Sequence, residues 1–330
     1  MLKEKIFTPL ALFALLSLVF ASQLSLVFAS QAFAGYPERP ISLIVPFGTG
    51  GSTDTNARML AMEMEKVIGQ RIVVKNISGA AGITGTKAIA DAKPDGYTFG
   101  YIPPAVVVMH PHVRKVAYSL SDFDPVALAI SFPYIVYTRK DSKWNSYSEM
   151  VSDMQANPKK YFIGASGVGS MPFFAIMSVL ADNKIQANMV TFKVDGDAMQ
   201  AMIGNRISLY SSTPAISKTY DVKPLVSLSR ERSPYLPDVP SIKEFGKDNH
   251  TFVHWQAVVA PKGTPKAAVS LISEAVKKVS RSKAYQDKLE KISMAPDYMS
   301  PGETKKFMKA ENDMYARVTK DVMNAVKKNK

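Results

Sequence analysis

Four short turns rich in glycine and serine are the residues of this sequence best suited to binding chemistry. They lie at residues 48–54 (GTGGSTD), 79–85 (GAAGITG), 166–170 (SGVGS) and 195–196 (DG). Each follows a predicted strand or opens a predicted helix, where backbone N–H groups and the positive helix end attract anions. Glycine allows several N–H groups to converge on one carboxylate or phosphate. One such turn commonly does no more than connect a strand to a helix, but four of them indicate an anion-binding site.

Motifs for nucleotide binding, hydrolysis and metal binding are incomplete in this chain. The first turn lacks both the Lys-Ser/Thr ending of a P-loop and the glycine spacing of a dinucleotide site. Residues 164–168 (GASGV) approach the nucleophile turn of hydrolases, but Val168 replaces its second glycine. The four histidines have neither an evident catalytic partner nor carboxylates at metal-ligand spacing. We therefore predict no metal and no cofactor, with a secreted hydrolase using Ser166 as the alternative.

The predicted helices and strands that must position these turns form two α/β lobes. Strands and helices alternate in a βαβαβ order through residues 41–102, and the alternation restarts through residues 148–229. The apolar, proline-interrupted run at residues 125–138 predicts a strand that leaves one sheet and enters another. Two C-terminal helices that start near Pro265 and Pro301 have no further sheet to cover. We therefore expect them to return to the first lobe, which makes that lobe discontinuous in sequence.

The first 34 residues have the character of an export signal. A charged start precedes an apolar stretch at residues 10–20, and small residues then provide three possible cleavage sites. The sites are ambiguous because the heptapeptide SLVFASQ occurs at residues 17–23 and again at residues 25–31. We predict cleavage after Ala34 and a periplasmic location, with a retained membrane anchor as the alternative.

The composition is that of an ordinary globular protein with one unusual number, its charge. The 330 residues are 46% hydrophobic and 21% charged, which suffices for two cores at roughly 150 residues per domain. The absence of cysteine excludes disulfides, thiolate metal sites and a lipid-modified N-terminal cysteine. The formal charge is +13, and much of the excess lies in residues 262–330. Because aromatic residues do not alternate with these lysines, we predict a solvated basic face and no nucleic-acid partner.

Six blocks that follow one another along the chain after residue 34 carry a resemblance to a known family. They are YPERPISLIVPFGTGGSTDTNARMLA, VVKNISGAAGITGTKAIADAKPDGYTFGYIP, DFDPVALAI, IGASGVGS, LPDVPSIKEFG and WQAVVAPKGTP. They resemble the extracytoplasmic solute-binding proteins of tripartite tricarboxylate transporters, also called the Bug family. The resemblance implies an α/β, two-lobe periplasmic binding protein of type II, with mixed sheets flanked by helices and two hinge strands. It places lobe 1 at residues 36–128 and 229–330, and lobe 2 at residues 129–228.

The resemblance also implies what the protein does and with what it works. We expect a non-enzymatic, monomeric receptor that delivers a small organic acid to membrane permease subunits. The acid is a mono-, di- or tricarboxylate, an aromatic acid or an acidic amino acid. Closure of the two lobes on the ligand is expected to form the surface that the permease recognises. A sensory subunit that presents its ligand to a membrane kinase is the alternative, because it would use the same closed state.

The ligand site that the family uses maps onto the turns described above. Backbone N–H groups of the first two turns are expected to hold one carboxylate, and the second lobe contacts the other end of the ligand. The expected binding residues are Phe47, Gly50, Gly51, Ser52, Thr53, Asp54, Ala80, Ala81, Gly82, Pro104, Ala105, Ser166, Gly167, Ser170 and Asp195. Asp195 departs from the family pattern, and it either faces the cleft or caps the following helix. Lys75 also departs from it, and this side chain lies either near the cleft or in solvent.

Overall fold

The structure is a computed structural model. It describes residues 35–167, 170–192, 194–247, 251–292 and 294–328. The predicted export signal and its three cleavage sites lie outside the described residues. Across the described ranges, no helix combines the length and the apolar character that crossing a membrane requires.

Strands and helices alternate through most of the chain, as the apolar pattern predicts. Within the described residues, strands β1 to β11 are Ile41–Val45, Ile72–Asn76, Thr98–Ile102, Phe123–Pro133, Ile135–Arg139, Phe162–Ser166, Asn188–Phe192, Tyr210–Ser212, Val222–Ser227, Val253–Pro261 and Pro296–Met299. Helices α1 to α10 are Ser52–Ile68, Ile83–Ala90, His110–Val113, Tyr147–Ala156, Met171–Asp182, Asp195–Ile203, Ile216–Thr219, Lys266–Ser280, Lys283–Glu290 and Pro301–Lys328. A π-helical turn at Ala105–Met109 joins β3 to α3.

The largest sheet is mixed and has the strand order β11-β4-β10-β3-β1-β2. Strand β1 pairs in parallel with β2 on one side and with β3 on the other. Strand β10 pairs antiparallel with β3 and β4. The carboxyl ends of β1, β2 and β3 therefore meet at one edge. Because β2 and β3 lie on opposite sides of β1, the order of the strands reverses at β1. Ligands of open α/β sheets bind at such an edge.

Residues 135–227 form two smaller sheets, with the orders β8-β5-β9 and β6-β7. A single residue, Tyr134, separates β4 in the large sheet from β5 in a small one. The predicted strand that leaves one sheet and enters another is therefore confirmed. The chain returns to the large sheet between β9 and β10. The boundaries of the two lobes that we gave from the sequence stay predictions.

Among the described residues, one hydrophobic cluster joins the two parts of the molecule, and each part also has a cluster of its own. Helix α8 returns to the large sheet, as expected, and packs against α1 and β4. Helix α10 packs against β4 and also against α5 from the other part of the chain. One apolar cluster consequently contains Val107, Phe174, Trp255 and Tyr315. The C-terminal helix thus links both parts. From the sequence we expect it to return to the first lobe only.

The partly buried carboxylate of Asp153 ties α4 to the chain segments on both sides of this helix. Trp144 Nε1 donates a hydrogen bond of 2.9 Å to Asp153 and Lys143 Nζ one of 2.7 Å, and the Tyr161 hydroxyl donates another. Burial by itself would raise the pKa of Asp153, but the hydrogen bonds from Lys143, Tyr161 and Trp144 lower it to about 2. A lowered pKa means that this carboxylate stabilises the fold above its unfolded pKa and loses that contribution as the pH falls toward 2.

We therefore expect Asp153→Asn to lower the free energy of unfolding at pH 7 by about 1 kcal/mol, and by less at pH 3. Urea denaturation of both proteins at the two pH values measures this difference. Asp141→Asn is the control, because Asp141 pairs with Arg139 but is 73% exposed, and exposed ion pairs contribute little. A deficit that is as large at pH 3 as at pH 7 would contradict the assignment.

Candidate functional site

A cavity of about 490 Å³ lies where the carboxyl ends of β1 and β3 face the start of α5. Its size suits a small-molecule ligand. The lining residues come from the turns after β1, β2 and β3, from the turn before α5, and from the strands that pass between the sheets. They are Phe47, Gly51, Ser52, Thr53, Ala81, Pro103, Ala105, Met109, His110, Arg114, Tyr134, Gly167, Ser170, Met171, Pro172 and His254.

Helix α1 begins at this cavity without a side-chain cap. Gly51 is the N-cap residue, its backbone is extended, and no side chain accepts a hydrogen bond from the first turn. Gly51, Ser52 and Thr53 all line the cavity. The first N–H groups of a helix have no partner within the helix, and the helix dipole makes this end positive. Helix α1, which is 17 residues long, therefore presents N–H donors and partial positive charge to the cavity.

Asp54 shapes the turn before α1 and does not line the cavity. Its Oδ2 accepts hydrogen bonds from the Gly50 N–H at 2.9 Å and from Arg58 Nε at 3.1 Å, and Asn76 Nδ2 donates to Oδ1 at 2.9 Å. Burial raises the pKa of Asp54, but hydrogen bonds from Arg58, Gly50 and Asn76 outweigh burial and lower it. The Gly50 N–H is thus already engaged, and neither Gly50 nor Asp54 reaches the cavity wall.

The second turn brings a strained backbone to the cavity. Ala80 and Ala81 have φ values of 47° and 57°, a region that residues with a Cβ rarely adopt. Ala81 lines the cavity, whereas Ala80 and Gly82 lie beside it. A Cβ at Gly82 would stand 2.9 Å from Phe47 Cζ. Glycine at this position therefore lets the Phe47 ring lie against the turn.

The segment after β3 forms one side of the cavity. It runs through the π-helical turn at Ala105–Met109, a kind of helix that is rare and frequent at functional sites. Pro103, Ala105 and Met109 line the cavity, whereas Pro104, expected from the sequence, does not. Of the two residues expected from this segment, Ala105 is at the cavity wall and the contact of Pro104 stays a prediction.

The opposite side of the cavity is the N-terminus of α5. Ser170 is the N-cap residue, and its Oγ accepts a hydrogen bond of 3.2 Å from the Phe173 N–H. Gly167, Ser170 and Met171 line the cavity. Ser166 is the last residue of β6, directly before this turn. Two helices, one flanking the large sheet and one from the other part of the molecule, thus begin at the same cavity.

Asp195 and Lys75, the two departures from the family pattern, make contacts outside the set of lining residues. Asp195 is the first residue of α6, and its carboxylate accepts hydrogen bonds of 2.6 Å from both the Tyr210 hydroxyl and Ser212 Oγ. It therefore ties α6 to β8. Lys75 is exposed on β2. Neither residue is among those that line the cavity.

The wall between the two sides contains aromatic rings from the crossing strands. The rings of His254 and Phe132 stack with their centroids 4.8 Å apart, and Tyr134 meets His254 edge to face. The Tyr134 hydroxyl and His254 Nδ1 lie 3.4 Å apart. Burial lowers the pKa of His254 to about 4, so this imidazole is neutral at pH 7.

The electrostatic character of the lining favours an anion with an apolar body. Arg114 supplies a positive charge, and no Asp or Glu is among the described residues that line the cavity. Burial, together with the Arg114 charge, lowers the pKa of His110 to about 4, so His110 is also neutral at pH 7. The remaining surface is mostly apolar, with the side chains of Phe47, Met109 and Met171.

Eight of the lining residues were not among those expected from the sequence. They are Pro103, Met109, His110, Arg114, Tyr134, Met171, Pro172 and His254. In the sequence, the histidines are candidates only for catalysis or metal binding. A usable signal did exist for the segment after β3, because the chain beyond the carboxyl end of a parallel strand faces the ligand crevice.

Comparison with known proteins points to one family of receptors. The family model described as "Tripartite tricarboxylate transporter family receptor" matches residues 56–323. Protein BugT of Bordetella pertussis is 30% identical to this chain over 295 residues, an alignment that covers 87% of this chain and 90% of BugT.

Solved structures of the same kind have similar folds. A TctC solute-binding protein from Polaromonas has a TM-score of 0.79 at 25% identity, covering 87% of this chain and 99% of its own. MatC from Rhodopseudomonas palustris, solved with bound malate, has a TM-score of 0.68 at 26% identity, covering 86% and 99%. Another R. palustris protein, solved with adipate, has a TM-score of 0.70 at 26% identity, covering 87% and 98%.

Proposed function

The chain belongs to the tripartite tricarboxylate transporter family of periplasmic solute-binding receptors, and we propose that it captures one small organic carboxylate in the cavity and delivers it to a membrane permease. One observation carries the proposal. The N-terminal ends of α1 and α5 line the same cavity, and the lining that the structure describes includes Arg114 and no acidic residue. The family consists of solute-binding receptors, and the carboxylates bound by two structural relatives, malate and adipate, support the ligand class.

In this proposal the ligand carboxylate lies at the N-terminus of α1. The N–H groups of Gly51, Ser52 and Thr53 are the donors, and the turn that contains Ala81 encloses the carboxylate from the other side. Charge-assisted hydrogen bonds of this kind are about twice as strong as neutral ones. The apolar body of the ligand then lies against Phe47. The expected contacts of Ala80, Gly82, Pro104, Ser166 and the other residues beside the cavity stay predictions.

Delivery requires that the protein report whether it is loaded. We propose that the ligand draws the start of α5 toward the start of α1, with bending where the chain passes between the sheets at Tyr134 and near His254. Hinge closure of this kind is a common response of binding proteins to their ligands. The closed form would present a surface that permease subunits recognise, which co-purification with and without ligand can detect.

Thermal unfolding in the presence of carboxylates tests the proposed ligand class. A carboxylate at 100 times its dissociation constant should stabilise the protein by roughly 2.7 kcal/mol. The panel consists of mono-, di- and tricarboxylates, aromatic acids and acidic amino acids. The amide of each acid is its matched control, because it keeps the shape but lacks the charge. If the amides stabilise the protein as much as the acids do, or if no acid stabilises it, the proposal is wrong.

A further inference from the structure

Short helix α3 and the residue directly after it carry two side chains to the cavity that the proposed carboxylate site at α1 does not use. His110, the first residue of α3, and Arg114, its C-cap residue with extended backbone, both line the cavity. The Arg114 N–H donates a hydrogen bond of 2.8 Å to the His110 carbonyl oxygen. Another residue of α3, His112, contacts Asn312 of α10 with its Nε2 at 3.0 Å. Contact with α10 therefore fixes the helix while His110 and Arg114 reach the cavity.

His110 has an unsatisfied polar atom in this position. The side chain is 4% exposed, and its Nδ1 has no hydrogen-bond partner. Buried polar atoms of proteins are almost always hydrogen-bonded, because an unpaired one costs free energy. A neutral imidazole can donate a hydrogen bond from Nδ1. A ligand group that accepts a hydrogen bond in the cavity would satisfy this atom.

Arg114 is a cation without a carboxylate partner among the residues that the structure describes. Several other arginines of the chain do have one: Arg39, Arg58, Arg139 and Arg232. The guanidinium group offers a planar fork of donors that matches a carboxylate. Arg114 is exposed, and no acid is among the described residues that line the cavity, so this fork is open to a carboxylate of the ligand.

We propose that Arg114 and His110 bind a second carboxylate of the ligand, which makes the preferred ligand a dicarboxylate with a short apolar chain. The inference rests on the proposed function, in which the first carboxylate lies at the N-terminus of α1. Arg114 contributes a charged, two-pronged contact, and His110 Nδ1–H donates to the same carboxylate. The two sites are on different segments, the start of α1 and residues 110–114, so the length of the ligand chain becomes a determinant of specificity.

Calorimetric titration with paired acids tests this inference. The pairs are linear dicarboxylates of four to eight carbons and the monocarboxylates of equal length. The wild-type protein should bind its best dicarboxylate at least roughly 10-fold more tightly than the matched monocarboxylate. Arg114→Gln should weaken the dicarboxylate by roughly 10- to 100-fold and leave the monocarboxylate within about 2-fold.

Two further variants distinguish specific recognition of the second carboxylate from effects of net charge and of core packing. Lys115→Gln removes a neighbouring exposed cation that does not line the cavity, and it should leave both affinities unchanged. His110→Phe keeps the buried ring but removes Nδ1, and it should weaken only the dicarboxylate. Equal losses for both acids in Arg114→Gln, or no loss for either, would overturn the inference while the carboxylate receptor stands. Failure of the wild-type protein to bind any acid would overturn the proposed function and this inference together.

Discussion

Replacing Gly51 with aspartate should abolish carboxylate binding without loss of stability. A Cβ at Gly51 would lie 4.0 Å from its nearest neighbour, the Gly48 carbonyl oxygen, so a side chain fits. Aspartate is a preferred N-cap residue, and its charge is favourable beside a helix N-terminus. The variant should therefore be as stable as the wild type or more stable by about 0.5 kcal/mol. Its carboxylate would occupy the donors and repel the ligand, lowering affinity by roughly 100-fold or more.

Gly48→Asp is the matched control for this change. Gly48 belongs to the same turn, a Cβ there meets nothing within 4 Å, and the residue does not line the cavity. Calorimetric titration with the most stabilising carboxylate measures affinity, and urea denaturation measures stability. We expect Gly48→Asp to bind as the wild type does. If Gly51→Asp also kept its affinity, the N-terminus of α1 would not be the carboxylate site.

Glu311→Gln should stabilise the protein strongly at pH 8 and much less at pH 5. Glu311 lies on α10, is 6% exposed and accepts a hydrogen bond of 3.3 Å from Trp255 Nε1. Burial raises the pKa of Glu311 to about 7, against smaller opposite effects of Trp255 and Arg230. A carboxyl with a raised pKa supports folding fully below its unfolded value, near 4.5, and loses that support as the pH rises through 7.

The expected gain follows from the size of this change in pKa. Glutamine keeps the acceptor for Trp255 but cannot ionise, so the free energy of unfolding at pH 8 should rise by roughly 3 kcal/mol. Denaturant unfolding at pH 5 and pH 8 measures it. Asp313→Asn is the control, because Asp313 is 48% exposed and pairs with Lys309 on the surface. A glutamine variant that is no more stable at pH 8 than the wild type would contradict the buried, titrating carboxyl.

Local sequence patterns predict most of the fold because they depend on neighbouring residues. The strands and helices expected to alternate through residues 41–102 are observed as β1, α1, β2, α2 and β3. The missed elements lack such patterns. Strand β11 has four residues (PDYM) and pairs only with β4 at the edge of the sheet. The helix expected to start near Pro265 is followed by a second helix, α9, which begins after Ser282, because Ser282 Oγ accepts a hydrogen bond from the Tyr285 N–H.

In the candidate site, too, local sequence predicts some of the residues and not others. The turns at residues 48–54 and 166–170 could be predicted, because glycine and serine at helix starts have a local physical meaning. Side chains from distant segments could not. Tyr134 and His254 are 120 residues apart in sequence, and only the pairing of β4 with β10 brings them to one wall. His110 reaches the cavity because a π-helical turn precedes α3. The sequence around His110 has no pattern that predicts this turn.

The most direct measurement is a crystal structure of the protein with the carboxylate that stabilises it most. We predict a carboxylate oxygen at roughly 3 Å from the backbone nitrogen of Ser52 or Thr53, with the body of the ligand against Phe47. For a dicarboxylate, the second carboxylate should contact Arg114. A carboxylate that binds outside this cavity, or inside it without contact to residues 51–53, would contradict carboxylate capture by the N-terminus of α1.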